Sequence, residues 1–552
     1  MTSKSRGAFS EVLGLLKPFR VIVVVSILLG MLGGLSITAL LAAINDALNA
    51  ATSPSPRALA VFVGLCVVAL TTQILSDIGT NHVGQHIIAG LRKSLGEKVL
   101  LAPIEQIERF RSYRLIPVLT HDVDTVSDFA FSFAPLAIAF TVTLGCLSYL
   151  AYLSLPMFAL LLVALTIGTA LQYVARAKGI KGFQAAREAE DELQKHYSAI
   201  AAGAKELRIH RPRRQRMFSQ RIEGTADFIC NTHIRAVNTF VVAKTLGSML
   251  FFVVIGLALA LQSFWLGTDK AVLSGFVLVL LYMKGPMEYL VTTLPVVSRA
   301  NIAFKRIADL AEQFSSPEPH LLLSDKDAAK PLVEHLEMRD VHFAFPAVDG
   351  STPFALGPVN LSIAQGEIVF IVGENGGGKT TLIKLLLGLY APQGGEIILN
   401  GEPVLAKNRD DYRQLFTTIF ADYYLFDELV QGDQKVPEDA SRYLERLEIS
   451  HKVSIRDGAF TTTDLSTGQR KRLALLNAWL EERPVLVFDE WAADQDPVFR
   501  RIFYTELLPE LKYLGKTIIV ISHDDRYFDV ADQLVRMEGG RVVSEKAPLA
   551  TA

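Results

Sequence analysis

The sequence predicts a chain in two parts: an α-helical six-span membrane domain, then an α/β domain built on a P-loop. Three observations lead there. Long charge-free apolar runs crowd the stretch before residue 300. From about Leu336 onward, short apolar strands alternate with helical stretches, an α/β pattern. Within that second part, Gly373–Thr381 carries the phosphate-binding spacing G-x-x-x-x-G-K-T. Half of the 552 residues are hydrophobic, a fifth are charged, and mean hydropathy is +0.31. That excludes a disordered chain and disfavours an ordinary soluble enzyme. The 55 basic and 57 acidic side chains leave a net charge of −2, so no basic footprint points to nucleic acid. Three scattered cysteines, Cys66, Cys146 and Cys230, give neither a disulfide scaffold nor a zinc cluster. They read as small apolar packing residues.

The spans follow from charge-free length. No charge lies between Arg20 and Asp46, Arg57 and Asp77, Asp128 and Arg176, or Lys244 and Asp269. A helix of about 20 residues rises about 30 Å and crosses the hydrocarbon core. The third run is about twice that length, and Leu153-Ser154-Leu155-Pro156 divides it as a tight hairpin, so the four runs give five spans. A sixth, near Ala271–Ser298, is interrupted by Lys284 and Glu288. Four apart on one helical face, these two could pair. They read either as a charge pair near a membrane face, helped by snorkelling, or as the polar lining of a substrate cavity. Gly285-Pro286 between them suggests a kink.

Charge asymmetry sets the expected orientation. Lys4, Arg6, Lys17 and Arg20 precede the first span. Arg92, Lys93, Lys98, Arg109, Arg111 and Arg114 lie between the second and third. Arg208, Arg211, Arg213, Arg214 and Arg216 lie between the fourth and fifth. The alternate connectors carry Arg57, nothing at the 154 hairpin, and Lys270. By the positive-inside rule, both termini and the two long connectors are cytoplasmic. The first apolar run is too long for a signal peptide and reads as a retained helix. The connectors 79–128 and 176–243 read as helical extensions; Gln184–Ala201 has a helix-favouring mixture of Ala, Glu, Gln and Lys.

Composition shifts after Phe314. Ser315–Pro319 and Asp325–Pro331 read as a linker, giving expected domains of 1–315 and 316–552. In the second, Ile368–Val372 reads as a buried strand and Thr381–Leu389 as a helix. Between them, Gly373, Glu374, Asn375, Gly376, Gly377 and Gly378 would let main-chain amides approach phosphate oxygens at a helix N-terminus. Lys379 would reach the β- and γ-phosphates, and the Thr380 hydroxyl, followed by Thr381, would ligate Mg²⁺. Val485–Phe488 reads as a buried strand ending in Asp489 and Glu490. Asp489 would hold the metal ion, and Glu490 is placed to act as general base on an attacking water.

A third element, Leu465-Ser466-Thr467-Gly468-Gln469 followed by a helix Arg470–Leu480, is more than an ordinary P-loop enzyme needs. Here the chain resembles the ATP-binding-cassette (ABC) transporters. The resemblance implies a type IV ABC exporter fold with a P-loop ATPase domain. It makes Ser466, Thr467, Gly468 and Gln469 the signature motif that contacts nucleotide held by the opposite protomer, with Thr467 in place of the commoner glycine; Ser466 also reads as a plain helix N-cap, which is compatible with that role. It places Phe345 on the adenine ring, Asp496 in the loop that bridges protomers, and His523 as the switch histidine on the γ-phosphate. At Ala421 the family's usual Gln is missing, and Asp422 stands beside it. ATP and Mg²⁺ are the implied cofactors. One cassette per chain implies a homodimer.

A narrower resemblance rests on Gly203–Arg208, on Asp489-Glu490-Trp491-Ala492-Ala493-Asp494-Gln495-Asp496-Pro497 and on Ile521–Asp525. These are similar to the cyclic-peptide exporter branch, which moves lipopeptide toxins, microcins and siderophores, and most of all to its pyoverdine-type members. The resemblance implies export of a peptide-like siderophore precursor across a bacterial inner membrane. It also implies stalk contacts near Pro103–Arg114 and Gly203–Arg208, and alternating access driven by nucleotide binding. The competing readings are a lipid flippase or broad drug exporter, and a membrane-tethered regulatory ATPase that transports nothing.

Overall fold

The computed structural model describes residues 20–49, 55–110, 112–261, 270–314, 316–319, 321–322, 333–346, 353–429 and 440–546. Lys4, Arg6, Lys17, Arg111, Ser315 and the linker Asp325–Pro331 lie outside the described residues. The chain divides into two compact units: Met1–Ala102 with Gln106–Ser316, and Pro317–Ala552 with Pro103–Glu105.

In the first unit, six helices among the described residues are long and apolar enough to cross a membrane. They are α1 Arg20–Asn49, α2 Pro56–Leu101, α3 Leu115–Leu153, α4 Leu155–Ala202, α5 Arg211–Ala260 and α6 Ala271–Gln313. Ser154 separates α3 from α4 with extended backbone and Pro156 in the next first turn, where a missing N–H costs nothing. Helices α2 and α4 run on well past their apolar lengths, as the connectors predict. Short helices, Ile104–Arg109 and Ala204–Ile209, follow them. Helical structure continues through Gly285-Pro286 and is interrupted instead at Thr293, ahead of Leu294-Pro295. There Pro295, in the first turn of the resumed helix, has no N–H to give to the ladder before it.

With no hydrophobic drive between helices in lipid, close approach of small residues packs them. A methyl at Gly34 of α1 would come within 3.0 Å of Thr141 on α3. The Ser76 hydroxyl donates to the Ser26 carbonyl across α1 and α2 at 2.8 Å. Cys146 is fully buried among Leu41, Leu150, Met157 and Phe276, as a packing residue should be. Cys66 and Cys230 are exposed on helix surfaces, so the packing role holds for one cysteine of three. In the polar extensions, Asp122 receives Arg187 at 2.9 Å and Arg306 at 3.0 Å, and Arg306 also grips Asp191 at 2.7 Å. This buried network ties α3, α4 and α6 together, because each charge there needs its partners.

Among the described residues, the second unit holds twelve strands: β1 His335–Ala344, β2 Ala355–Ala364, β3 Ile368–Gly373, β4 Gly394–Leu399, β5 Glu402–Pro403, β6 Phe416–Ile419, β7 Ile455–Arg456, β8 Ala459–Phe460, β9 Val485–Asp489, β10 Thr517–Ile521, β11 Gln533–Glu538 and β12 Arg541–Lys546. One sheet has the order β12-β11-β3-β10-β9-β6 and is parallel except at the β12 edge. A second has the order β2-β1-β4-β5 and is antiparallel. Strands β9 and β10 are buried at every position, as a parallel sheet covered on both faces requires. Alternate side chains feed two cores. Val369, Ile371, Val487 and Ile519 enter one; Ile368, Phe370, Phe488 and Val520 enter the other. The loops leaving β3, β9 and β10 therefore emerge side by side at one edge of the sheet, where open α/β folds place their ligands.

Candidate functional site

The phosphate loop leaves β3 at Gly373 and ends where helix α7, Lys379–Leu386, begins. That start is two residues before the sequence expectation and the end three before it, because Gly378 caps the helix in left-handed conformation. Gly376 and Gly378 have φ of 81° and 98°, a region that glycine enters without steric cost. A methyl at Gly378 would also strike the Phe354 ring at 2.7 Å. Glu374, Asn375 and Gly376 are exposed at the loop crest, while Gly377 is buried beneath it, its N–H donated to the Glu374 carbonyl at 3.1 Å. The buried Lys379 lies back along the loop and donates to the Gly373 and Glu374 carbonyls at 2.9 and 3.0 Å. Burial pulls its pKa below the ordinary lysine value, and the carboxylates of Glu490 and Asp489 oppose that shift.

Thr380 and Thr381 occupy the first turn of α7. The Thr380 hydroxyl donates to the Asp489 carboxylate at 3.3 Å, joining the loop of β3 to the end of β9. Asp489 is 1 % exposed. Burial and the neighbouring Glu490 charge raise its pKa, while the Thr380 hydroxyl and the main-chain amide of Ala421 pull it down. A hydroxyl and a carboxylate at this separation fit Mg²⁺, a hard ion that prefers oxygen ligands and completes its shell with phosphate oxygens and water. When bound, the ion neutralises charge on the phosphate oxygens. At the missing-Gln position, Ala421 thus still addresses Asp489 through its backbone.

Glu490 follows at φ 50°, ψ 32°, a conformation uncommon outside glycine. Its N–H donates to the Ile521 carbonyl at 3.2 Å. Its Oε1 lies 3.2 Å from His523 Nε2, and both side chains are partly exposed. His523 stands just past the end of β10. There Ser522 shares a hydrogen bond with the Tyr504 hydroxyl at 2.8 Å and accepts from the Asp524 amide at 3.1 Å. The structure thus brings Lys379, Thr380, Asp489, Glu490 and His523 to one sheet edge.

The signature segment opens helix α8, Thr467–Leu480, three residues earlier than expected. Ser466 is its N-cap and accepts from the Gln469 amide, while the Gln469 side chain reaches back to the Ser466 amide, each at 3.4 Å. This reciprocal box satisfies donors that a helix start leaves orphaned. Thr467 occupies the first helical position, exposed. Gly468 packs tightly: a methyl there would meet the Asp494 carbonyl at 2.8 Å, and its own carbonyl accepts from Gln495 Nε2 at 3.1 Å. Gly468→Ala must therefore move α8 or the 494–496 loop. It is expected to lower the ATPase kcat roughly tenfold, equivalent to about 1.4 kcal/mol of barrier. Turnover equal to the parent would show that the loop yields freely.

Phe345 is half-buried in an aromatic group, edge-on to Phe343 at 5.1 Å and to Tyr390 at 6.0 Å between centroids. Asp496, expected between protomers, is satisfied within its own chain. It caps the helix α9, Pro497–Ile502, through the Val498 and Phe499 amides and receives Arg472 at 2.6 Å. The Phe499 amide is the main cause holding its pKa below the usual carboxylate value. Arg472, which also stacks on the Phe499 ring at 3.8 Å, was not legible as part of the site, nor was the buried Lys471. The available signal was a charged Arg470-Lys471-Arg472 run continuing into an otherwise apolar helix.

The fold and this edge of strands define a membrane-embedded P-loop ATPase. The description "ABC transporter" matches residues 356–493, and "ABC transporter transmembrane region" matches residues 20–209. The Pseudomonas syringae pv. syringae protein named ATP-binding protein SyrD is 35% identical over 530 residues, covering 94% of this chain and 93% of its own length. An ATP-dependent lipid A-core flippase of Alkalilimnicola ehrlichii is 25% identical over 97% of this chain and 92% of its own. A solved bacterial Atm1-family ABC exporter with ATP bound shares the fold, with a TM-score of 0.75 and 16% identity over 96% of this chain and 95% of that one. This chain belongs to the ABC transporter family and is an ATP-driven exporter. It binds ATP with Mg²⁺ and couples hydrolysis to transport.

Proposed function

We propose that two copies of this chain form a homodimer that exports a peptide-like secondary metabolite of the pyoverdine-type siderophore-precursor class from cytoplasm to periplasm. The dimer sits in the bacterial inner membrane with both termini cytoplasmic. One ATP lies between the P-loop of one copy and Ser466–Gln469 of the other. Phe345 supports the adenine, Lys379 and the loop amides hold the phosphates, and Thr380 and Asp489 hold Mg²⁺. Glu490 takes the proton of the attacking water while His523 orients the γ-phosphate. Asp496 then acts on the partner through the loop it caps. Closure of the cassettes pulls the helical extensions, through Pro103–Arg114 and Gly203–Arg208, and opens the spans outward.

The observation that carries the substrate reading lies in the membrane unit. A cavity between α4, α5 and α6 is lined mainly by apolar side chains, with Thr169, Gln172, Lys244, Ser248 and Glu288 as its polar members. The Gln172 carbonyl oxygen is buried there without a hydrogen-bond partner, and Glu288 accepts from Ser248 at 2.8 Å. An unsatisfied acceptor in an apolar wall, beside a carboxylate with capacity to spare, favours a cargo with N–H donors, as amides have. Lys284 does not pair with Glu288; its ammonium lies 4.8 Å from the centre of the Phe252 ring. The cavity role therefore falls to Glu288. The second reading, a lipid flippase, rests on the full-length likeness to lipid A-core flippases.

Reconstituted protein separates the two. Peptidic siderophore precursors are expected to stimulate ATPase, and Glu288→Gln to lower that stimulated rate by roughly fivefold, about 1 kcal/mol. Stimulation by lipid A or dyes but never by peptides would favour the flippase. Deleting the gene and comparing secreted with retained peptides identifies the cargo.

A further inference from the structure

Lys471 is a fully buried cation that none of the steps above uses. It projects from α8 toward the turn after β9 and donates to the main-chain carbonyl of Glu490 at 2.9 Å. It also pairs with Asp494 at 2.8 Å. The reverse contact comes from Trp491, whose indole N–H donates to the Lys471 carbonyl at 2.9 Å. Trp491 is wholly buried, its ring 4.4 Å from Phe503 and in further contact with Phe488 and Phe499. Two hydrogen bonds running in opposite directions thus clasp α8 to the peptide that bears Glu490.

That peptide needs holding. Glu490 occupies a left-handed conformation that persists only where its surroundings over-determine it. Its N–H is fixed by β10 through Ile521, and its carbonyl is fixed by Lys471. With both ends of the residue pinned, the carboxylate is aimed at His523. Burying an ammonium is costly unless its hydrogen bonds are met, so a lysine here is a demanding choice for filling space.

We propose that Lys471 is a positioning residue for Glu490, and that its clasp with Trp491 transmits the state of the signature segment to the general base of the same chain. Helix α8 carries Ser466–Gln469 at one end and the clasp within its first two turns. Under the paired reading given above, on which this second part rests, that end senses the nucleotide bound by the other copy. The two ATP sites are then wired through α8 of each chain: phosphate engaged across the interface fixes α8, and α8 fixes the base at the chain's own site.

The test uses full-length protein in liposomes, with ATP as the probe. Lys471→Met keeps an unbranched stem of similar volume, one atom shorter, and removes the donor. It is expected to lower kcat by roughly 10- to 100-fold, the cost of misplacing a catalytic group by a fraction of an ångström to one ångström, with KM for ATP changed less than about threefold. In a Glu490→Gln background the same change is expected to alter the residual single-turnover rate less than about twofold, because the group it positions is already gone. Trp491→Phe retains the aromatic packing and loses the N–H. It is expected to bring the Hill coefficient for ATP from near about 2 toward 1, the limits for two coupled sites and for independent ones.

A Lys471→Met kcat within twofold of the parent, or equal fold losses in both backgrounds, would overturn the positioning role. If Lys471→Met does not fold, Trp491→Phe decides alone, and parental cooperativity in that variant would overturn the clasp. A Hill coefficient of 1 in the parent protein would overturn the wiring of the two sites, strictly monomeric protein with full turnover would sink the paired reading, and in either case the comparison of backgrounds would still decide the role of Lys471.

Discussion

Glu490→Gln is expected to cut ATP turnover by about 10²- to 10⁴-fold, the usual contribution of a positioned general base, while ATP binding persists. The substitution keeps the shape of the side chain and its reach to His523, 3.2 Å away. It leaves the phosphate loop untouched, because Lys379, Thr380 and Asp489 make their contacts without the Glu490 side chain. It removes the proposed proton acceptor. If closure follows nucleotide binding and opening follows hydrolysis, the variant accumulates as a nucleotide-filled dimer. Equilibrium ATP binding and cross-linking between copies would show it. Near-parental turnover would mean that another group takes the proton, and His523 would be the next residue to test.

The parts legible from sequence were those in which one physical demand dominates. Hydrocarbon thickness demands long charge-free runs, so the spans could be placed within a few residues. Phosphate binding demands a glycine-rich turn between a buried strand and a helix, and the structure places Gly373–Thr380 there. The two carboxylates after Val485–Phe488 were readable because a parallel strand flanked on both sides and covered on both faces is apolar along its whole length. What stayed illegible depends on side chains meeting across the fold. The spacing of Lys284 and Glu288 suggested a pair, yet Ser248 from α5 and the Phe252 ring compete successfully for them. The start of α8 was misplaced because Thr467 and Gly468 are poor helix formers in isolation, and the Ser466–Gln469 capping box overrides that preference. Lys471 carried no signal of its own, because its burial follows from Glu490 and Asp494 lying some twenty positions downstream.

Lys379→Ala is expected to do the opposite of Glu490→Gln, abolishing nucleotide binding itself and with it all transport. Its ammonium bridges two carbonyls of the phosphate loop, Gly373 and Glu374, and in the proposed function it is the group that meets the β- and γ-phosphates. A hydrogen bond to a charged group contributes about 1.5–3 kcal/mol, and Lys379 offers more than one to phosphate oxygens, so affinity for ATP should fall by at least roughly 100-fold. Lys379 is itself buried, so its ammonium has little hydration to lose on charge pairing. Lys379→Met, which preserves the packing of the stem, should match the alanine variant if charge is the cause. It should fall between alanine and the parent if the stem's packing against the loop matters too. Fluorescent-nucleotide titration measures binding, and cargo uptake into inverted vesicles measures transport. Loss of both together ties movement of the cargo to this cassette; cargo uptake that survives in a variant unable to bind ATP would mean that the membrane unit works without it, and would break the assignment of ATP as the driving force.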